Sequence, residues 1–119
     1  MTTITLDRAQ IQTECTSMQQ IEALIRRFPM EEIWLSGESE YPCLVVQTNA
    51  NFACITYFHS TGVMWMSHGG SSECLTFYAG GELWEAPSDA VISLTDAILC
   101  CQEFYRNHSR PTNIRWQEL

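Results

Sequence analysis

The sequence predicts an α+β fold, one mainly antiparallel β-sheet arranged as a meander with two helices packed on it. Three observations predict it. From Tyr41 to Pro87 the chain is a series of short runs rich in Val, Ile, Thr, Phe, Tyr and Trp, divided by Asn, Gly and Ser. The first group suits a pleated, half-buried surface and the second suits tight turns. On either side of that stretch the apolar spacing changes to a helical period. Finally, 119 residues fit a single domain spanning the whole chain, long enough to bury about 65% of its unfolded surface without staples.

Taken in order, Ile4 and Leu6 alternate with Thr3, Thr5 and Asp7, as in a short first strand at a sheet edge. Met18, Ile21, Leu24, Ile25 and Phe28 then fall on one helical stripe. Thr16 with Gln19 forms a capping box at its start, and Arg26 and Arg27 suit the negative end of its dipole. Pro29 ends it. Ile33, Trp34 and Leu35 open the next strand, which Gly37 closes. In the strand after it, Leu44 and Val46 point one way and Cys43, Val45 and Gln47 the other. Asn49-Ala50-Asn51 turns the chain into a strand from Phe52 to Phe58 that is apolar on both faces, as a central strand covered on both sides would be.

Val63 to His68 continues the meander, with Trp65 on one face and Met64 and Met66 on the other. Gly69 to Ser72 is expected to be the most flexible loop. Cys74 to Tyr78 and Glu82 to Glu85 read as strands joined by the tight turn Gly80-Gly81. Ser93 caps a second helix with stripe Leu94, Ala97, Ile98, Cys101 and Tyr105. Cys100 lies beside that stripe, and Asn107 fits a left-handed cap. Ile114 and Trp116 alternate with Arg115 and Gln117 in a last strand.

The charge is −8, and its distribution says more than its total. No Lys or Arg stands between Arg27 and Arg106, while Glu31, Glu32, Glu38, Glu40, Glu73, Glu82, Glu85, Asp89, Asp96 and Glu103 all do. An acidic sheet disfavours nucleic acid or an anionic membrane as direct partner and favours a basic protein. The N-terminus lacks the features of a signal peptide and no apolar run reaches the ~20 residues of a membrane span, so a cytoplasmic protein is expected. The six cysteines include no C-x-x-C pair and several sit in apolar patterns, which reads as free, mostly buried thiols.

No catalytic constellation stands out. His59, His68 and His108 have no chelating spacing, and G-x-S-x-G and Walker patterns are missing. The H-x-E and P-C-x-x-C pair of a zinc nucleobase deaminase is missing too: Thr61, Gly70 and Arg110 stand two places after the histidines, and Pro42-Cys43 leads to Val46. Pairs such as Glu38/Glu40 and Glu82/Glu85 read as a binding surface. No enzyme activity, cofactor or metal is expected.

The C-terminal quarter is more specific. A helix ending in Phe104-Tyr105 runs into S-R-P-T-N-I-R-W-Q-E-L, with Arg110, Pro111, Ile114 and Trp116 at fixed spacing. This tail resembles the signature of a family of bacterial polymorphic-toxin immunity proteins, in particular members directed against a double-stranded-DNA cytosine deaminase toxin. The proline-led strand pair Pro42 to Phe58 is similar as well. The family often has Gly shortly before R-P, where this chain has Asn107-His108-Ser109, so the helix exit is expected to differ.

The resemblance implies an inhibitor that binds a cognate toxin domain one-to-one, the toxin being a basic, zinc-dependent deaminase whose substrate groove is blocked. The expected contact residues are Glu38, Glu40, Glu73, Glu82 and Glu85 as charges, with Trp65, Tyr78 and Trp84 as aromatic anchors. Two other readings stay open. One is a small-molecule-binding module with a pocket lined by Met64, Met66, Trp65 and a thiol; the other is an assembly subunit that pairs through a sheet edge.

Overall fold

Strand register decides which side chains meet. The computed structural model describes residues 1–70 and 74–119. Its strands are β1 (Thr3–Leu6), β2 (Ile11–Glu14), β3 (Met30–Ser36), β4 (Cys43–Asn49), β5 (Phe52–Ser60), β6 (Val63–His68), β7 (Thr76–Ala79), β8 (Glu82–Glu85), β9 (Ile92–Ser93) and β10 (Arg115–Glu118). The helices are α1 (Met18–Arg27) and α2 (Leu94–Asn107). The main sheet runs β10-β6-β5-β4-β3-β1-β2, and β9 pairs with the start of β5. Each of these pairings is antiparallel. The sequence prediction of an α+β fold with a mainly antiparallel sheet therefore holds.

Directly opposite residues share a face. Ile33 opposes Val46, which opposes Ile55, and Leu35 opposes Leu44, which opposes Tyr57. These residues form an apolar layer with Ile4 and Leu6. Against it α1 lays Ile21 and Ile25, while α2 lays Leu94, Ala97, Ile98, Cys101 and Phe104. Phe104 and each Ile and Leu of β1, β3 and β4 named here are fully buried, and such a side chain contributes roughly 1.5–3 kcal/mol. The family-like tail closes this layer. Pro111 is buried, its carbonyl accepts a hydrogen bond from Trp116 Nε1 at 2.8 Å, and Ile114 and Trp116 pack on the core.

Several local expectations change. The edge is β2, not β1, which lies between β2 and β3. The N-cap of α1 is Ser17, accepting from Gln20 N, while the Gln20 side chain accepts from Thr16 N; the reciprocal cap sits one residue later than Thr16/Gln19. At the end of α2 the left-handed residue is His108 (φ 50°), one place after Asn107. There its ring stacks on Phe104 and is hydrogen-bonded to Thr2. Cys100 is as buried as Cys101, because Asn113 reaches back over that flank of α2 and its Oδ1 accepts from the thiol at 3.1 Å.

The largest correction concerns the meander. It continues only as far as β6, whose free edge is taken by β10. β7 and β8 form a separate two-stranded ribbon folded over the sheet face opposite the helices. Phe77 and Trp84 oppose one another across it and so share one face. That face buries on Phe52, Cys54 and Met66, together with Ala86, Ala90 and Val91. Gly80 and Gly81 both have positive φ (62° and 82°), as a two-residue hairpin turn requires.

Candidate functional site

The two sheet faces are finished differently. One is closed by α1 and α2. The other carries the β7–β8 ribbon over part of its width and leaves Trp34, Phe58 and their neighbours open. Three hollows follow from that partial cover. One of about 330 Å³ is lined by Trp34, Ser36, Glu40, Tyr41, Cys43 and Phe58. A shallower one of about 570 Å³ shares Trp34 and Ser36 and reaches Thr5, Asp7 and the Gly80-Gly81 turn. A third, of about 330 Å³, lies on the ribbon's other flank among Gln47, Thr56, Met66, Glu82, Leu83 and Trp84. The first two adjoin at Trp34 and Ser36, and the third lies apart across the ribbon.

The ribbon is fixed over the sheet by a few polar contacts. Glu32 is almost wholly buried and its carboxylate accepts from Gly80 N at 3.0 Å and from Gln47 Nε2 at 3.4 Å. Asn49 Nδ2 donates to the Thr76 carbonyl at 2.9 Å. The Arg8 guanidinium lies 3.7 Å from the centre of the Tyr78 ring. Glu31, fully buried, accepts from the backbone N–H groups of Arg8, Ala9 and Glu32 at 2.7–2.9 Å and so shapes the β1–β2 turn. Glu103 does the same for the chain after α2, accepting from Thr112 N and Oγ1. Glu31, Glu32 and Glu103 are thus acids committed to the fold, a role their identity alone does not signal.

The remaining carboxylates separate cleanly. Glu38, Glu40, Glu82 and Glu85 are exposed. Glu40 lines the hollow beside Trp34, and Glu82 lines the one across the ribbon. Glu85 opposes Thr76 at the ribbon base, and Glu38 stands on the β3–β4 connection. Trp84 is half-buried on the under side of the ribbon and lines the third hollow. Tyr78 is half-buried with Arg8 on its ring. Glu73 lies outside the described residues, as do Ser71 and Ser72 of the expected flexible loop.

Trp65 is not brought to this face. It opposes Tyr57, lies tilted against the Tyr57 ring and edge-to-face with His59 on the helix side of the sheet, and is covered by the Arg110 guanidinium at 4.8 Å. Met66, by contrast, packs beneath the ribbon. The expected pocket lined by Met64, Met66, Trp65 and a thiol therefore does not form, because Trp65 and Met66 lie on opposite faces of the sheet. Conversely, sequence reading overlooked Trp34, a tryptophan 41% exposed between two fully buried neighbours, Ile33 and Leu35. Its alternation with them was the available signal.

The thiols are free, and all but Cys74 are buried. Burial pushes Cys54 up to about 11 and Cys100 to about 12. Burial with the nearby Glu14 holds Cys15 at about 11, and Cys101 lies well above its ordinary value. Thiols held neutral in this way are poor nucleophiles. Among the described residues no group of three or more His, Cys, Asp or Glu side chains is arranged to hold a metal ion, and no helix is long and apolar enough to cross a membrane. What this face offers is shape, aromatic surface and negative charge.

Residues 9–118 match the family model described as Immunity protein Imm1. No curated protein matches the chain.

Proposed function

The chain belongs to the Imm1 immunity-protein family, and from that premise we propose that it neutralises a DNA cytosine deaminase toxin by seating the open, acidic face of its sheet in the toxin's basic substrate groove. One observation carries this choice of surface. The uncovered part of the sheet and the exposed carboxylates Glu40 and Glu82 coincide, on a stretch with no Lys or Arg from residue 28 to residue 105. Arg8 borders the face, but its guanidinium is held over Tyr78.

A protein that grips DNA presents positive potential around its reacting site, because phosphate contacts dominate its affinity. Glu38, Glu40, Glu82 and Glu85 would steer encounter with such a surface, and the aromatic area around Trp84 and Tyr78 would supply the desolvated contacts that hold it. Protection against a catalyst calls for nanomolar binding or better, about −12 kcal/mol. Inhibition then needs no chemistry from the immunity protein: it denies the duplex access. The sequence resemblance of the R-P-x-x-I-x-W tail supports the deaminase as target, although that tail itself serves the fold.

The test is co-purification with the product of a toxin gene adjoining this one, followed by cytosine deamination of double-stranded DNA. A one-to-one complex that abolishes deamination is the expected result. A tight complex with a toxin of other chemistry discards the deaminase while keeping the immunity role.

A further inference from the structure

The geometry points to an arginine-binding cleft at the Trp34 end of the open face, in which the Trp34–Phe58 aromatic pair and the carboxylate of Glu40 receive a guanidinium from the partner toxin. The assignment of that arginine to a toxin rests on the reading given above.

The cleft is built across β4. Trp34 on β3 opposes Val45, and Phe58 on β5 opposes Cys43, so the two rings reach toward each other over the strand between them. Their planes are parallel within 8°, with centroids 6.4 Å apart. Shielding Val45 and Cys43, both buried, accounts for an aromatic pair at this position. It does not explain why a side chain this large stays 41% exposed, or why a carboxylate and a tyrosine border the same hollow of about 330 Å³. Glu40 and Cys43 line the same hollow, and the Cys43 thiol is raised chiefly by burial and secondarily by the Glu40 charge.

Flat aromatic faces beside a carboxylate suit one side chain above others. A guanidinium stacks on the ring through its plane and pairs with a carboxylate through its edge, whereas an ammonium does only part of this and an aliphatic chain leaves the carboxylate unpaired. The protein already uses such contacts internally: Arg8 covers Tyr78, Arg27 lies over Phe28 and Arg110 covers Trp65. Among the described residues no guanidinium covers Trp34. Tryptophan is the strongest aromatic partner for a cation, and here its face is left for a cation from outside.

The first experiment needs no toxin. Nα-acetyl-arginine amide is titrated into protein labelled at the tryptophan indole nitrogens, with the neutral isostere Nα-acetyl-citrulline amide as comparator. The expected result is a saturable shift of the Trp34 indole signal with arginine, at least about fivefold weaker with citrulline, and reduced in Glu40→Gln. No response, or equal responses to the two amides, overturns the cleft.

With the toxin, Trp34→Ala is expected to weaken binding on the order of 30-fold, Trp34→Phe to restore much of it, and Glu40→Gln to cost about five- to tenfold. Glu40 lies in an exposed connection, so Glu40→Gln keeps the test decisive should Trp34→Ala fail to fold. A wild-type complex whose affinity neither Trp34→Ala nor Glu40→Gln changes overturns the cleft and leaves the immunity role standing. A wild-type protein that binds no toxin removes the earlier reading, and with it the toxin as source of the arginine.

Discussion

The helix side of the sheet and the ribbon side are made from the same strands, yet they follow different rules. On the helix side Ile33, Leu35, Leu44, Val46, Ala53 and Ile55 are fully buried in the core that α1 and α2 complete. On the ribbon side Trp34, Phe58, Gln47, Thr56 and Met66 alternate with them at every position, and a four-residue strand pair covers only part of the width. Beneath the ribbon a small core forms around Phe77 and Cys54, while beyond its cover Trp34 and Phe58 border a hollow. The difference sets a face closed across its width by helices against one covered only in part, and the uncovered part is the surface proposed above to meet the toxin.

That contrast can be broken by experiment. The largest effect belongs to the helix side. Phe104→Ala should cost about 3–5 kcal/mol in chemical denaturation, whereas Leu83→Ala, on an exposed ribbon position, should stay within about 0.5 kcal/mol. Equal costs would erase the distinction between the faces.

Alkaline pH should come next. Cys15 and Cys54 stay protonated to about 11 and Cys100 to about 12 in the fold, against an ordinary value of 9.0. Below about pH 8 both states hold these protons, so stability is indifferent to them. Above 9 the unfolded chain releases them first, and each such thiol removes about 1.4 kcal/mol per pH unit until its folded form also ionises. Urea midpoints at pH 8, 9.5 and 10.5 should fall, and fall less steeply in Cys100→Ala; a flat profile would mean these thiols are not sequestered.

Glu32→Ala should destabilise by about 1–3 kcal/mol, since it leaves Gly80 N–H and Gln47 without their acceptor. Its signature is local: faster amide exchange at Gly80 with little change at Ile55. Uniform acceleration would show that the ribbon and the sheet are one cooperative unit. The smallest stability effect belongs to Glu82→Lys with Glu85→Lys, within about 0.5 kcal/mol. There the readout is toxin affinity, expected to weaken on the order of tenfold and more steeply at low salt; unchanged affinity would remove the ribbon edge from the interface.

Much of the fold was legible because alternation and turn chemistry are local. β6 and β8 begin and end where the sequence places them, and the central position of β5 follows from its two apolar faces. What escaped is non-local. Ile11-Gln12-Thr13-Glu14 has one apolar residue in four, too little to announce a strand, and it forms because β1 offers an edge. Nothing within β7 or β8 states that β10 will take the edge of β6 first. Glu31 and Glu32 escaped for another reason. Carboxylates default to solvent, and only the folded chain brings backbone N–H groups to them. The acidic character of the candidate face was legible; which aromatic residues stand on it was not, since Trp65 and Trp34 differ only in the parity of their strands.

The ribbon is attached to the sheet by side chains and a small apolar patch, and shares no ladder with it. Its tip can therefore gain or lose residues without shifting the register of any strand beneath. Space around Gly80 and Gly81 is open on the outer side. On the function proposed above, substitutions at the exposed positions Gly81, Glu82 and Leu83 would alter the surface offered to a toxin, while Phe77 stays in its core and the strands beneath keep their register.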